Sequence, residues 1–518
     1  MNQHDTVEAL FERFGPNYRW FVAAAGLLGA TSVMMTATLV NVAVPNVMGA
    51  FGIGQSQAQW MATAFLATMT ASQLLNAWMI GALGQRMAYV SMLGLFVVGS
   101  FISATAPSIE VLIVGRVVQG FAAGVIQPLV MTTVFQVFPP DRRGTAMGVF
   151  GTGMVLAPGL GPALGGIAID AFSWRAMFFL PLPLVALAIV GGLIFMPSPP
   201  RAERLPRFDW AGYGLLSIAL YCGMTAMANG PRFGWSSDHV TALAVGAVLS
   251  GGLFIWWQMR SSTPLLAVDL FRNPVFSAAV LVAFVFGLGN FASGYVIPVF
   301  VQQVQGYTPT RAGMVLAPAA LLLAAMLPFT GRLADRLPGY IMVMMGLSAF
   351  SLGTALMISS DVNTGFWTFA GFAAISRGGL AFILPSLSAS ALKALTPSQL
   401  PKGSGNMNFL RQLGGATGTN LIVVWLQMQT LVYSEALTAT QTAANGTSEV
   451  LLESVQRLLV PSGIDSAVSQ SVALDFLGQM VQAQAQGFAF QHSFLALAAV
   501  FLFALLPAWV LGQAQKRE

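Results

Sequence analysis

Arg116, Arg377 and Arg411 stand inside long apolar stretches of a chain whose charged residues make up only 8% of 518. A charge carried into hydrocarbon costs at least about 2.5–3.5 kcal/mol. It is kept only where it faces a bundle interior or a wet cavity, so each guanidinium is a candidate for handling an anion or a proton. No Asp or Glu stands at the centre of any of these stretches; Asp170, Asp209 and Asp269 fall near their ends. A passage lined by arginine without carboxylate disfavours lipophilic cations and suits hydrophobic weak acids, amphipathic anions or neutral compounds. Gln73, Asn76, Gln127, Asn290 and Asn408 add hydrogen-bonding groups, and Trp and Phe supply stacking walls. Single polar side chains in such stretches mostly tie helices together, at about 0.6 kcal/mol each.

Other chemistries find little support. His4, His239 and His492 are far apart in sequence, and the single Cys222 forms neither a disulfide framework nor a thiolate cluster. No metal ligand set, catalytic residue or cofactor motif is read, so an enzyme is not expected. No GxxxxGK[ST] loop is present, so work done by this chain must draw on an ion gradient rather than ATP.

The elements that must position these groups are membrane helices. Hydrophobic residues make up 56% of the chain, and apolar runs of about 20 residues recur along it. The reading is an all-α polytopic membrane protein with fourteen spans. They include 20–44, 58–82, 88–105, 403–430 and 489–511. Placing both termini in the cytoplasm puts Arg142, Arg143, Arg201, Arg204, Arg207, Lys393, Lys402 and the Lys516-Arg517 tail inside. Only Arg175, Arg232, Arg311 and Arg457 then lie outside, as the positive-inside rule requires. The net charge of +5 is accounted for by anionic lipid and needs no nucleic acid.

A hexad repeats at Gly81–Arg86 and Gly331–Arg336, both reading G-x-L-x-x-R. The separation is too long for six spans and fits eight. The architecture expected is therefore 6+2+6. A cytoplasmic N-terminal surface helix occupies 1–19 and a six-helix half 20–200. Two inserted transmembrane helices occupy 201–272. A second six-helix half, 273–518, carries a polar extracytoplasmic loop at 431–488. Paired six-span halves are a transporter arrangement, the major facilitator fold. Val7, Leu10, Phe11 and Phe14 give the first helix one apolar face, ended by Gly15-Pro16.

Four motifs run through most of the chain: Leu39-Val-Asn41-Val-Ala-Val-Pro45; Gly115-Arg116-Val-Val-Gln119-Gly120; Ala157-Pro158-Gly-Leu-Gly161-Pro162-Ala-Leu-Gly165-Gly166 with Asp170 and Ser173-Trp174-Arg175; and Asn408-Phe-Leu-Arg411-Gln-Leu-Gly-Gly. With them the chain resembles the fourteen-span drug:proton antiporters of the major facilitator superfamily, the EmrB/QacA type. The resemblance implies a proton-coupled exporter of hydrophobic or amphipathic compounds working by alternating access in the bacterial inner membrane. It implies a substrate and proton pathway through Thr36, Asn41, Arg116, Gln119, Arg377, Asn408 and Arg411. It implies an antiporter motif made of Pro158, Gly161, Pro162, Gly165, Gly166, Asp170 and Arg175, whose small face would seal the contact between the halves when the carrier opens inward. It also implies a cytoplasmic gate at Gly81, Arg86, Gly331, Asp335 and Arg336, where an acid meets a helix end and an arginine clamps it.

Two departures stand out. Gln85 occupies the aspartate position in the first gate copy, so that copy should be the weaker lock. Thr36 occupies the position where many relatives carry a membrane-embedded aspartate, so the usual acidic proton carrier is missing. Proton coupling would then run through Asp170, Asp335 or an arginine-linked water path, or the ionisation of the substrate would supply it. The competing readings are a passive facilitator and an uptake permease of the same fold for an organic anion. Relatives also imply partners besides substrate and bilayer: a periplasmic membrane-fusion adaptor and an outer-membrane channel, with the 431–488 segment as the docking surface.

Overall fold

The computed structural model describes residues 6–53, 55–198, 207–442, 445–459 and 466–515. Within these, Asn41, Pro158, Pro162, Gly166 and Asp170 lie outside the described side chains.

Helix α1 (Val7–Phe14) starts at Thr6, whose hydroxyl accepts from the Ala9 amide at 3.3 Å. Its apolar face is docked rather than lying free. Leu10 is buried, and the Phe14 ring meets Phe195 edge-on at 5.3 Å. Helix α2 (Tyr18–Phe51) follows. Then α3 (Gln55–Ser72) passes through a 3-10 turn at Gln73–Leu75 into α4 (Asn76–Ala104). Gly84, at φ 74° and ψ 165°, breaks α4 into two limbs; only glycine takes that backbone cheaply. The break falls between the expected spans 58–82 and 88–105. Helices α5 (Ile109–Val137), α6 (Arg143–Ala171) and α7 (Leu182–Phe195) complete a first group. In it α3 and α4 lie on α5, and α6 and α7 lie on α2.

Helices α8 (Trp210–Phe233) and α9 (Asp238–Arg260) pair with each other. Asp209 fixes the base of that hairpin. Its carboxylate accepts from the Gly212 amide at 2.9 Å, Trp257 Nε1 at 2.8 Å and Gln258 Nε2 at 2.8 Å. The second group is α10 (Pro274–Gln303), α11 (Pro309–Arg336), α12 (Gly339–Leu356), α13 (Phe366–Lys393) and α14 (Leu400–Ala439). It continues with α15 (Gly446–Leu459), α16 (Ser466–Phe503) and α17 (Leu505–Gln515). Here α10 lies on α14, and α13 lies between α11 and α12. The α8 helix touches α3 of the first group and α14 of the second.

Among the described residues there is no strand, and 11 helical stretches are long and apolar enough to cross a membrane. One of these, Trp60–Ala104, is 45 residues long and contains the Gly84 break.

The 431–488 segment, expected as a polar loop, is largely helical. Helix α14 has 40 residues, about 60 Å at 1.5 Å each, roughly twice the hydrocarbon thickness. It runs on to Ala439, α15 follows, and α16 is already helical from Ser466. Tyr433 Oη and His492 Nδ1, 2.7 Å apart, join α14 to α16 at the base of this extension.

Candidate functional site

The two groups meet along α6, which lies on α11 and α13, and along α14, which touches α5 and the α3–α4 junction. The tightest contact is at the start of α6. Asp335 Oδ1 accepts from the Gly144 amide at 2.6 Å, and Asp335 Oδ2 accepts from the Thr145 amide at 2.9 Å and the Thr145 hydroxyl at 2.5 Å. A helix start leaves its first amides unpaired and carries the positive end of the dipole, so a carboxylate belongs there. Glycine makes the approach possible. A Cβ on Gly144 would stand 2.7 Å from the Gly331 carbonyl, and one on Gly331 would stand 2.7 Å from the Gly144 carbonyl. Gly144 and Thr145 escaped the sequence reading, although the Arg142-Arg143 run marks the loop in which this helix begins.

The expected companions of Asp335 behave differently. Arg336 is exposed and makes no ion pair among the described residues. In the first copy, Arg86 is buried and donates from Nε to the Met196 carbonyl at 2.8 Å. It thus fastens the Gly84 turn to the end of α7 within its own group rather than clamping the two groups together. Gln85 donates to Gln136 Oε1 at 2.5 Å, also within that group. Gly81 lies exposed in the same helical limb.

A second contact between the groups is made of amides, hydroxyls and thioethers. Asn76 Nδ2 donates to the Pro401 carbonyl at 2.8 Å and to Ser404 Oγ at 3.0 Å, and the hydroxyls of Thr132 and Ser404 are 2.5 Å apart. Asn408 Nδ2 donates to Met131 Sδ at 3.1 Å and to the Ser404 carbonyl at 2.9 Å. Beside it, Gln73 donates to Gln127 Oε1 at 3.2 Å, and Gln127 donates to Met34 Sδ at 3.1 Å. The thioethers and hydroxyls of this seam were missed, because Met, Ser and Thr in a span read as ordinary packing.

The three arginines divide. Arg116, expected to face a central cavity, is fully enclosed between α2, α3 and α5 in this state. Its Nε donates to the Met61 carbonyl at 3.0 Å, and its Nη1 to Gln119 Oε1 at 3.0 Å and the Thr36 carbonyl at 3.4 Å. The guanidinium lies over the Phe65 ring at 4.2 Å, and its Nη2 has no partner. Gln119 passes the chain of bonds to Ser100 at 2.8 Å, and the Thr36 hydroxyl is turned to the Ser32 carbonyl at 3.1 Å. Arg377 and Arg411 are only half-buried. Arg377 Nη1 donates to Asn290 Oδ1 at 2.6 Å, and Arg411 Nη2 donates to Asn408 Oδ1 at 2.6 Å. No carboxylate pairs with any of the three among the described residues.

Gly161 and Gly165 of the antiporter motif, expected to seal the halves when the carrier opens inward, pack inside the first group in this state. A Cβ on Gly165 would lie 2.8 Å from Leu39 Cδ2, and one on Gly161 would run into the Thr38 hydroxyl, both on α2. The glycines that do meet the second group lie earlier on α6. These are Gly144, Gly148 against the Leu327 carbonyl, and Gly151, on which a Cβ would stand 2.9 Å from Leu384 Cδ2. Gly165→Leu should therefore drive α6 off α2. Overpacking costs about 1–3 kcal/mol, so in a chain of 518 residues the purified variant should melt about 1–3 °C lower. An unchanged melting temperature would mean α2 can yield there. Arg175 stacks on Trp174 at 4.3 Å and donates to the Ala106 carbonyl at 3.2 Å.

A profile described as Major Facilitator Superfamily matches residues 26–419. The "Multidrug resistance protein B homolog" of Mycobacterium tuberculosis is 31% identical over 78% of this chain and 76% of its own length. The "Lincomycin resistance protein LmrB" of Listeria monocytogenes is 25% identical over 79% of this chain and 86% of its own. Among solved structures, the human organic anion transporter MFSD10 (TETRAN) superposes with a TM-score of 0.60 at 15% identity, covering 93% of this chain and 99% of that one. That likeness concerns the fold alone. The profile spans most of the chain, two helical groups joined through α6 and α14 are what such a fold needs, and this multi-pass membrane protein belongs to the Major Facilitator Superfamily.

Proposed function

We propose that this transporter is a fourteen-span, proton-driven exporter of hydrophobic or amphipathic compounds that are neutral or weakly acidic. The 6+2+6 reading is supported by the Gly84 break inside one long apolar stretch and by α8–α9 lying between the two groups in sequence. The positive-inside bias puts the Asp335 end in the cytoplasm. The observation that carries the reading is the one-sided latch: Asp335 holds the start of α6, which fits a carrier shut towards the cytoplasm. Substrate would then sit between the groups, near half-buried Arg377 and Arg411, before release at the far end. That these carriers are named for multidrug and lincomycin resistance in relatives favours export over uptake.

In the same reading the α14–α15–α16 extension stands outside the inner membrane. There Val450, Leu458 and Val472 are exposed and would meet a membrane-fusion adaptor leading to an outer-membrane channel.

The test is efflux from a host stripped of its own pumps, comparing hydrophobic acids with lipophilic cations across an imposed pH gradient. Acids and neutral compounds should leave the cell only while the gradient lasts, and cations should not. Export of cations in preference to acids would overturn the substrate class. Transport without trans-acceleration in counterflow would instead point to a passive facilitator.

A further inference from the structure

At the end of the bundle opposite Asp335, α10, α14 and α16 enclose a cleft of about 400 Å³. Its floor is apolar, with Leu426 and Phe490 buried beneath it. Its rim carries Gln303, Gln427, Gln482 and Gln486, together with Tyr295 and Thr430. None of the four carboxamides has a hydrogen-bond partner among the described residues. The Thr430 hydroxyl donates to the Leu426 carbonyl at 2.8 Å, which leaves its oxygen as an acceptor. No charged residue and no histidine lines the cleft. An apolar floor under a few converging polar groups is the general form of a small-molecule site, and the volume falls in the usual range of about 300–1,000 Å³.

The charge-free lining separates this cleft from Arg411, deeper on α14, and from Arg377 of α13, which reaches Asn290 on α10. Tyr295 lies five residues beyond Asn290 on α10, about 7.5 Å along the axis. An anion gains nothing here that it does not already lose in desolvation, because no cation faces it. An uncharged molecule with an alkyl or aryl body and several hydroxyl, ether or amide groups can bury its body on Leu426 and Phe490 and exchange hydrogen bonds with the rim. We propose that the cleft is a binding site for an uncharged, hydrogen-bonding amphiphile, distinct from any site at Arg377 and Arg411. It rests on the cleft itself and not on the direction of transport.

The experiment uses the full chain in lipid nanodiscs, with Cys222→Ser and a single reporter, Thr430→Cys, which leaves all four amides in place. The probe is n-hexyl β-D-glucopyranoside, and the readout is the rate at which an aqueous maleimide labels the reporter. At ten times Kd, occupancy should slow labelling about tenfold by mass action. A second reporter outside the cleft, Gln479→Cys, should be unaffected. Adding Gln427→Leu and Gln486→Leu should abolish the protection while the variant still elutes as a folded species. Three outcomes each overturn the proposal: no protection up to the solubility limit, equal protection by octanoate, or protection that survives both leucine substitutions. If Thr430→Cys perturbs the cleft, Val423→Cys on its inner wall serves as the reporter with the same expectations.

Discussion

Asp335→Asn should open the latched end of the bundle and stop vectorial transport. The carboxylate receives three donors from the first turn of α6, at 2.5–2.9 Å. Asparagine loses the charge that the helix start favours and presents an NH2 where a donor now points. Hydrogen bonds to a charged group contribute about 1.5–3 kcal/mol, and losing a helix cap costs about 1 kcal/mol. A net loss of about 2 kcal/mol in the latched state moves its population against the open one by roughly 30-fold. The readout is a cysteine at Ala334, now buried beside Gly144, in a Cys222→Ser background. Aqueous labelling from the Asp335 side should speed up by about tenfold or more. Asp335→Glu keeps the charge on a longer arm and should recover part of the slow labelling. Equal labelling rates in wild type and Asp335→Asn, with transport intact, would sink the latch.

The effect is expected to be large because the latch has no twin. By the hexad repeat, Gln85 is the counterpart of Asp335, yet it bonds to Gln136 inside its own group. A neutral amide gains little from a helix dipole, so nothing draws it across to the start of α14. What joins the groups on that side is the neutral set of Asn76, Thr132 and Ser404. Neutral hydrogen bonds contribute about 0.5–1.5 kcal/mol each, which is less than the charge-assisted set at α6. The same comparison explains why Arg86 and Arg336 need not clamp anything. One is spent on the Met196 carbonyl and the other faces solvent, where an ion pair would contribute only about 0–1 kcal/mol.

The sequence made helix identity legible because a span must be apolar over about 20 residues whatever surrounds it. That Asp335 would meet a helix end came only from the resemblance of its turn to a gate motif; nothing in the turn itself names Gly144 and Thr145 as the partners. What hydropathy does not carry is rotation about the axis. In lipid both the packed and the exposed faces of a span are apolar, so the face on which Arg116 or Gly165 sits is set by neighbours and not by the pattern of its own helix. Arg116 accordingly turned out to lie among α2, α3 and α5, and Gly165 against Leu39. The 431–488 segment failed differently. Its Gln, Ser, Thr and Ala residues carry little apolar contrast and so only a weak 3.6-residue period, and its helices read as loop.

Arg116 gives the sharpest test of whether a buried charge here is structural or functional. As a helix lock it is poorly made. Nη2 is unpartnered, no carboxylate balances the charge, and the carbonyls of Met61 and Thr36 belong to helices that already pair their backbones. Replacing a buried ion pair by apolar side chains of similar volume is often neutral or stabilising by about 1–4 kcal/mol, and a lone buried ion carries the same desolvation cost with no partner to offset it. If packing were its whole task, methionine would serve α2, α3 and α5 as well, still lying over Phe65. Arg116→Met should therefore leave the melting temperature at that of wild type, or raise it. Arg116→Ala should lower it, because the cavity left by a large buried side chain costs about 2–5 kcal/mol. Both variants should lose transport by about a hundredfold or more, since neither offers a positive charge when α2 and α5 rearrange. A methionine variant that transports at the wild-type rate would reduce Arg116 to packing and leave Arg377 and Arg411 as the cavity charges. A methionine variant that is both stable and inactive would mean that the cost of burying this guanidinium is borne for transport.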